Sequence, residues 1–121
     1  MIYFDQSATT APNESVLNTY VTVSQRFFGN PSSLHTLGQQ AEALLRKSTQ
    51  QVAQLLQIQP KEIVFTSGAT ESNNMAMKGV AYQYQNRGNH IITTCTEHSS
   101  VLQVCKQLET QGFHITYLPV D

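Results

Sequence analysis

The chain has 121 residues, 40% of them apolar, and a formal net charge of −1. That length is enough for one domain with a modest core. The Lys and Arg residues form no basic stripe, so nucleic-acid binding is not expected, and no apolar stretch reaches the roughly 20 residues that span a bilayer. The sequence starts without a basic and apolar leader. We therefore expect a cytoplasmic protein with no membrane partner.

The first half of the chain is predicted to be mainly helical. Residues 1–12 are predicted as a short strand at 2–4 followed by a loop rich in Ser, Thr and Ala. Asn13 is the predicted N-cap of a first helix, since apolar residues follow it at helical spacing. Ser32 or Ser33 is the predicted cap of a second, longer helix.

The second half is predicted to alternate strands with helices. Short β-branched and aromatic runs are separated by small-residue turns and by segments with helical periodicity. This order favours an α/β fold with a mainly parallel sheet. The predicted elements are strands at 63–66, 90–94 and 113–118, a helix at 69–85, and a last helix capped by Ser99 or Ser100 and ended by Gly112.

The turn between the first of these strands and its helix predicts an anion site. Ser67, Gly68 and Ala69 are small enough to let a ligand approach the backbone, and Thr70 brings a hydroxyl to the first helical turn. Neither the GxGxxG nor the GxxxxGK[ST] pattern is present, which argues against dinucleotides and nucleoside triphosphates. A plain turn with an N-cap also explains the spacing, and spacing alone slightly favours that interpretation.

His98 is the second candidate, because it follows a strand at the edge where open α/β sheets bind ligands. An imidazole there can stack on a flat cofactor or transfer protons near neutral pH. Taken alone, a loop histidine is more often a surface or hydrogen-bonding residue. Cys95 and Cys105 have no metal-ligand spacing and are expected to be reduced thiols, so no metal site is predicted.

Several segments together resemble one enzyme family. FTSGATESNN at 65–74 and HIITTCTEHSSVL at 90–102 resemble cysteine desulfurases of the NifS and IscS type, which are fold-type I pyridoxal-phosphate enzymes of the class V aminotransferase superfamily. YFDQSATTAP, FGNPSSLHTLGQQAE at 28–42 and QGFHITYLPVD match in the same order. The resemblance implies that residues 13–121 are the N-terminal part of a three-layer large domain, incomplete in this chain.

The resemblance also implies roles for the candidate residues. Ala69 and Thr70 match the positions that hold the phosphate of pyridoxal 5′-phosphate, and His98 matches the histidine that stacks on its pyridine ring and is proposed to assist proton transfers. His98 is therefore the expected catalytic residue. The turn before Ala69 is expected to be a cofactor seat.

Other family residues have no match in this sequence. The lysine that binds the cofactor aldehyde, the aspartate facing the pyridine nitrogen, the arginine for the substrate carboxylate and the persulfide-forming cysteine all come later in the family. The resemblance thus implies roughly the first third of an enzyme, inactive and poorly stable without a complementing chain. Four lysines match no aldehyde-binding motif: Lys47, Lys61, Lys78 and Lys106.

Complete enzymes of this type convert L-cysteine to L-alanine. They pass the sulfur, as an enzyme persulfide, to an acceptor such as an iron–sulfur scaffold protein or a tRNA-thiolation protein, and they act as homodimers. The resemblance leaves two alternatives open. One is another enzyme of the superfamily, such as a selenocysteine lyase or a transaminase, and the other is a truncated binding module without chemistry.

Overall fold

The computed structural model describes residues 2–120, which form α-helices and one parallel two-stranded sheet. The chain divides into two compact units. Residues 1–63 are called the helical unit, and residues 64–121 the sheet unit. The elements are α1 (Glu14–Arg26), α2 (Thr36–Leu56), a 3₁₀ turn (Pro60–Glu62), α3 (Ala69–Tyr84), β1 (His90–Thr94), α4 (Ser99–Thr110) and β2 (His114–Leu118).

The start of the helical unit confirms one prediction and corrects another. Asn13 caps α1, since its Oδ1 accepts a hydrogen bond from the Ser15 backbone N–H at 2.9 Å. The predicted strand at residues 2–4 is wrong. Within residues 2–120 this segment pairs with no other strand, and Ile2 and Phe4 are 80% and 91% exposed. A strand needs a partner for its backbone groups, and none is described here.

The predicted cap of α2 at Ser32 or Ser33 is also wrong. Both serine N–H groups are used in a turn on Asn30, with Ser32 donating to its Oδ1 and Ser33 to its carbonyl, each at 2.9 Å. The helix therefore begins later, and its N-cap is His35, whose Nδ1 accepts from the Gly38 N–H at 3.3 Å. An imidazole nitrogen here accepts the hydrogen bond that a serine oxygen accepts at many N-caps.

Gly38 is buried and is needed at its position for steric reasons. A Cβ at residue 38 would overlap the carbonyl oxygens of Ser33 and Asn30, so only glycine lets α2 approach that turn. α2 ends at Gln57, which has a left-handed conformation (φ 56°), and the Ile58 N–H donates to the Ala53 carbonyl beyond it. These bonds satisfy the last carbonyls of the helix.

The sheet unit is built on a β–α–β arrangement of β1, α4 and β2. The two strands pair in parallel, with His90 opposite His114 and Thr94 opposite Leu118. The strand at 90–94 and the parallel pairing are confirmed. β2 begins one residue later than predicted because Phe113 completes the end of α4, where its N–H donates to the Leu108 carbonyl. Gly112, predicted to end this helix, has φ +92°.

The predicted strand at 63–66 is wrong. These residues belong to no ladder among the described residues, although Ile63 has extended backbone angles. Val64 and Phe65 are 62% and 58% exposed. The segment has the β-branched composition of a strand, but in the described part of the chain it has no neighbour to pair with.

The core of the sheet unit lies where α3 and α4 meet the strands. Leu108 is fully buried and Val104 is 2% exposed, and both pack with Ala81 and Phe113. The Tyr82 and Phe113 rings meet edge to face with centroids 6.4 Å apart. The predicted α/β class is confirmed by this packing. No helix within residues 2–120 has both the length and the apolar character needed to cross a bilayer.

Candidate functional site

The N-terminus of α3 offers free backbone donors to an anion. Ala69 and Thr70 are the first two residues of the helix and both are exposed. Gly68 is the N-cap residue, and no side chain among the described residues caps the helix. The first N–H groups of an α-helix have no intrahelical acceptor and carry partial positive charge. A Cβ built on Gly68 would meet nothing within 4 Å, so the approach to these donors is open.

The turn before α3 is held by Glu71. Its Oε2 accepts from the Ser67 backbone N–H at 2.6 Å and from the Ser67 hydroxyl at 2.7 Å. These two hydrogen bonds lower the pKa of the Glu71 carboxyl below its ordinary value, the backbone bond contributing most. A contact between the hydroxyls of Thr66 and Ser72 at 2.6 Å closes the other side of the turn. The carboxylate is thus bound to the turn itself and leaves the helix amides uncapped.

His98 is the N-cap of α4, so the predicted cap at Ser99 or Ser100 is wrong. Its Nδ1 accepts from the Ser100 N–H at 3.1 Å and lies 2.9 Å from the Ser100 hydroxyl. The imidazole itself is exposed. The ring is therefore held on one edge by the backbone of α4 and is open to a ligand elsewhere.

A side-chain hydrogen bond connects the two helix starts. The Asn73 Nδ2 donates to the Ser100 Oγ at 2.8 Å. Asn73 lies one turn beyond Thr70 on α3, and Ser100 lies two residues beyond His98. The structure therefore brings the N-terminal parts of α3 and α4 into contact. Ala69 and Thr70 lie at the start of α3, and His98 lies at the start of α4.

Several other titratable residues of the sheet unit have structural contacts or are buried. The Glu97 carboxylate accepts from the Thr94 hydroxyl at 3.3 Å, and the His90 Nε2 lies 2.8 Å from the Thr116 hydroxyl. Cys105 is fully buried and burial raises the pKa of its thiol, as expected of an unreactive core residue, whereas Cys95 is exposed. In the part of the chain that the structure describes, no cluster of His, Cys, Asp and Glu could hold a metal ion.

Sequence reasoning missed Asn73 and Ser100, and it missed the role of Glu71 in the turn. Asn73 and Ser100 are 27 residues apart, so only the packing of α3 against α4 shows their contact. The Glu71 bond had a local signal, because a carboxylate in the first turn four residues after a serine can reach back to it.

These residues fit a flat ligand that carries a phosphate. The uncapped amides of Ala69 and Thr70, together with the Thr70 hydroxyl, are hydrogen-bond donors suited to phosphate oxygens. The exposed imidazole of His98 offers an aromatic face near the start of the neighbouring helix. The Glu71 carboxylate, in the first turn of α3, accepts a hydrogen bond from Ser67 and so does not occupy the amides of Ala69 and Thr70. The phosphate and the ring system of pyridoxal 5′-phosphate are compatible with this arrangement.

Comparison with known proteins gives a consistent result. The family model described as aminotransferase class-V matches residues 2–121. A NifS/IcsS protein homolog of Lactobacillus delbrueckii subsp. bulgaricus is 53% identical over 121 residues, which is 100% of this chain and 31% of the relative. The cysteine desulfurase IscS of Vesicomyosocius okutanii is 51% identical over 119 residues, which is 96% of this chain and 30% of the relative.

Solved structures agree with these sequence relatives. A NifS-like protein superimposes with a TM-score of 0.90 at 42% identity, over 99% of this chain and 33% of the other. The protein SspA, solved in complex with cysteine, gives a TM-score of 0.85 at 40% identity, over 96% of this chain and 33% of the other. The chain therefore spans about a third of the length of the proteins that it matches.

Proposed function

Because the chain belongs to the class-V aminotransferase family, whose cysteine desulfurases use pyridoxal 5′-phosphate, we propose that it is the amino-terminal segment of a cysteine desulfurase. The observation that supports this proposal is the uncapped start of α3, a helix that contacts the helix capped by the exposed His98. The relatives named as cysteine desulfurases do not favour the selenocysteine lyase or the binding module.

We propose that the backbone N–H groups of Ala69 and Thr70, with the Thr70 hydroxyl, donate hydrogen bonds to the cofactor phosphate. His98 presents its flat ring to the pyridine ring. When bound, the cofactor supplies an electron-withdrawing ring that stabilises negative charge on the substrate α-carbon. Ala69, Thr70 and His98 bind and orient the cofactor.

The complete enzyme would act on L-cysteine, which agrees with the solved SspA complex. A cysteine thiolate of the enzyme would attack the sulfur of L-cysteine to form an S–S bond. The C–S bond would break with its electron pair passing to the β-carbon, which takes up a proton, so that L-alanine leaves and the enzyme keeps the sulfur as a persulfide. The resulting persulfide would pass its sulfur to an acceptor such as an iron–sulfur scaffold protein. We propose a homodimer in the cytoplasm for this complete enzyme.

We further propose that residues 1–121 alone are inactive. Lys78 and Lys106 are the lysines of the sheet unit, and each lies eight residues beyond a site residue, Thr70 and His98 respectively. Along an α-helix that separation is about 12 Å, so neither lysine lies at the helix start where the cofactor would be held. None of the four lysines of this sequence matches the aldehyde-binding motif of the family, so we propose that this lysine comes from residues outside 1–121.

A chimera tests this proposal. Residues 1–121 replace the matching segment of the Vesicomyosocius okutanii desulfurase, and alanine formation from L-cysteine is measured with pyridoxal 5′-phosphate present. We expect turnover by the chimera and none by the 121-residue chain. His98→Ala should lower kcat/KM, because it removes the ring that orients the cofactor.

The matched control is His114→Ala, which removes another exposed histidine of the sheet unit and should leave the rate unchanged. A chimera that folds and binds the cofactor but forms no alanine contradicts the proposed function. So does alanine formation by the 121-residue chain alone.

A further inference from the structure

The hydrogen bonds around His98 determine which of its ring nitrogens carries the proton. The Ser100 backbone N–H points at Nδ1 from 3.1 Å, and a backbone N–H can only donate. Nδ1 must therefore be the acceptor. In the neutral ring this leaves the proton on Nε2.

The Ser100 hydroxyl also favours an unprotonated Nδ1, because Asn73 determines where the hydroxyl hydrogen points. The Asn73 Nδ2 is a donor, so the Ser100 Oγ accepts from it at 2.8 Å. The hydroxyl hydrogen is then free to point at the His98 Nδ1, which lies 2.9 Å away. Ser100 is 6% exposed, so water has little access to compete for this bond. Two donors thus converge on one nitrogen of an otherwise exposed ring.

We propose that Asn73 and Ser100 are positioning residues that fix His98 as the Nε2–H tautomer and orient its ring at the start of α4. The ring then meets a ligand through its open faces and as a hydrogen-bond donor at Nε2. Its Nδ1 is occupied and does not accept a proton from a ligand. This inference rests on the proposed function only for the identity of that ligand.

The tautomer is measurable on the 121-residue chain without cofactor. Two-bond ¹H–¹⁵N NMR of histidine-labelled protein, at about pH 8 where an ordinary imidazole is neutral, distinguishes the protonated from the unprotonated ring nitrogen. We expect an unprotonated Nδ1 and a protonated Nε2 for His98. A protonated Nδ1 in the unaltered chain would overturn the inference, whatever the variants do.

Two substitutions test the roles of the positioning residues. Ser100→Ala removes the hydroxyl, and Asn73→Asp replaces the donor by an acceptor of the same shape, which turns the hydroxyl hydrogen away from Nδ1. Each should lower the ratio of Nε2–H to Nδ1–H tautomer by roughly 2- to 10-fold, the effect of losing one hydrogen bond. Ser100→Thr keeps a hydroxyl and should restore the ratio.

Matched controls separate this effect from general disturbance. Asn74→Asp adds the same charge in the same turn of α3, but the Asn74 amide donates to the Thr70 carbonyl and not to Ser100. Ser99→Ala removes the neighbouring, exposed hydroxyl. Both should keep the unaltered ratio. If Asn73→Asp and Ser100→Ala retain the folded amide spectrum and the unaltered ratio, the positioning role is wrong.

The tautomer test and the test of cofactor binding can fail independently of each other. An Nε2–H tautomer in a chain that binds no pyridoxal phosphate refutes the cofactor seat and keeps the positioning role. If the chain binds pyridoxal phosphate and His98 is the Nδ1–H tautomer, the cofactor seat is kept and the positioning role is refuted.

Discussion

The two units differ in how much apolar surface each buries by itself. The sheet unit encloses a core around Leu108 and Val104, which are almost fully buried. In the described part of the helical unit, Gly38 and Ala53 are the buried residues of the helices, while Leu34 and Leu55 are 91% and 84% exposed. The candidate site residues belong to the unit that has a core of its own. Precise positioning of side chains requires such support.

The exposed apolar residues of the helical unit agree with the idea that this chain is part of a larger protein. Large exposed apolar side chains are often covered by further protein when they lie together in a patch. That the isolated chain is poorly stable without a complementing chain remains a prediction.

The largest expected effect compares one leucine from each unit. Leu108→Ala removes a fully buried side chain of the sheet unit and should cost about 2–5 kcal/mol of its stability, because a cavity remains where the side chain packed. Leu55→Ala, at an 84% exposed position, should cost less than about 0.5 kcal/mol. Hydrogen exchange of the β1 and β2 amides measures the difference. Equal loss of protection in both variants would remove the distinction between the units.

A pair of glycines should give effects of opposite sign. Gly38→Ala forces a Cβ against the Ser33 and Asn30 carbonyls and should cost roughly 1–3 kcal/mol in the helical unit. Gly79→Ala lies inside α3 with nothing within 4 Å of the new Cβ, and should stabilise the sheet unit by about 0.5–1 kcal/mol. Chemical denaturation followed by residue-resolved NMR checks both. Stabilisation by Gly38→Ala would show that the close approach does not exist.

The smallest effect concerns the carboxyl of Glu71. Its pKa is lowered in the folded chain, so its contribution to stability is present above the ordinary carboxyl pKa and is lost as the pH falls through the lowered value. Ser67→Ala removes one of the two donors and should shift the pKa of Glu71 up, toward its ordinary value. A ¹³C NMR titration of the carboxyl measures this, with Ser99→Ala as the control. An unchanged titration in Ser67→Ala would contradict the hydrogen bond.

Local patterns predicted the elements of the sheet unit well. The helix after Gly68, both paired strands and Gly112 at φ +92° follow from periodicity and turn residues. The strand predicted at 63–66 failed because pairing depends on a neighbour, which composition does not encode. The predicted serine caps of α2 and α4 were wrong. The N-caps are His35 and His98, where a ring nitrogen accepts the hydrogen bond in place of a serine oxygen.

The sequence predicted the individual parts of the candidate site but not the contact between them. The turn before α3 has a local signature, and the family resemblance added the cofactor and the role of His98. The contact between Asn73 and Ser100 could not be read from the sequence, because it depends on how α3 packs against α4 over 27 residues of separation.

We propose that the start of α3 and His98 form one seat for a phosphorylated pyridine ring. Pyridoxine 5′-phosphate tests it directly, because it has the ring and the phosphate but no aldehyde to react with lysines. In ¹H–¹⁵N spectra of the chain, we predict saturable shifts of the Ala69 and Thr70 amides and of the His98 ring, with much weaker shifts for pyridoxine. Shifts that avoid these residues, or equal binding of pyridoxine and pyridoxine 5′-phosphate, would show that no such phosphate seat exists.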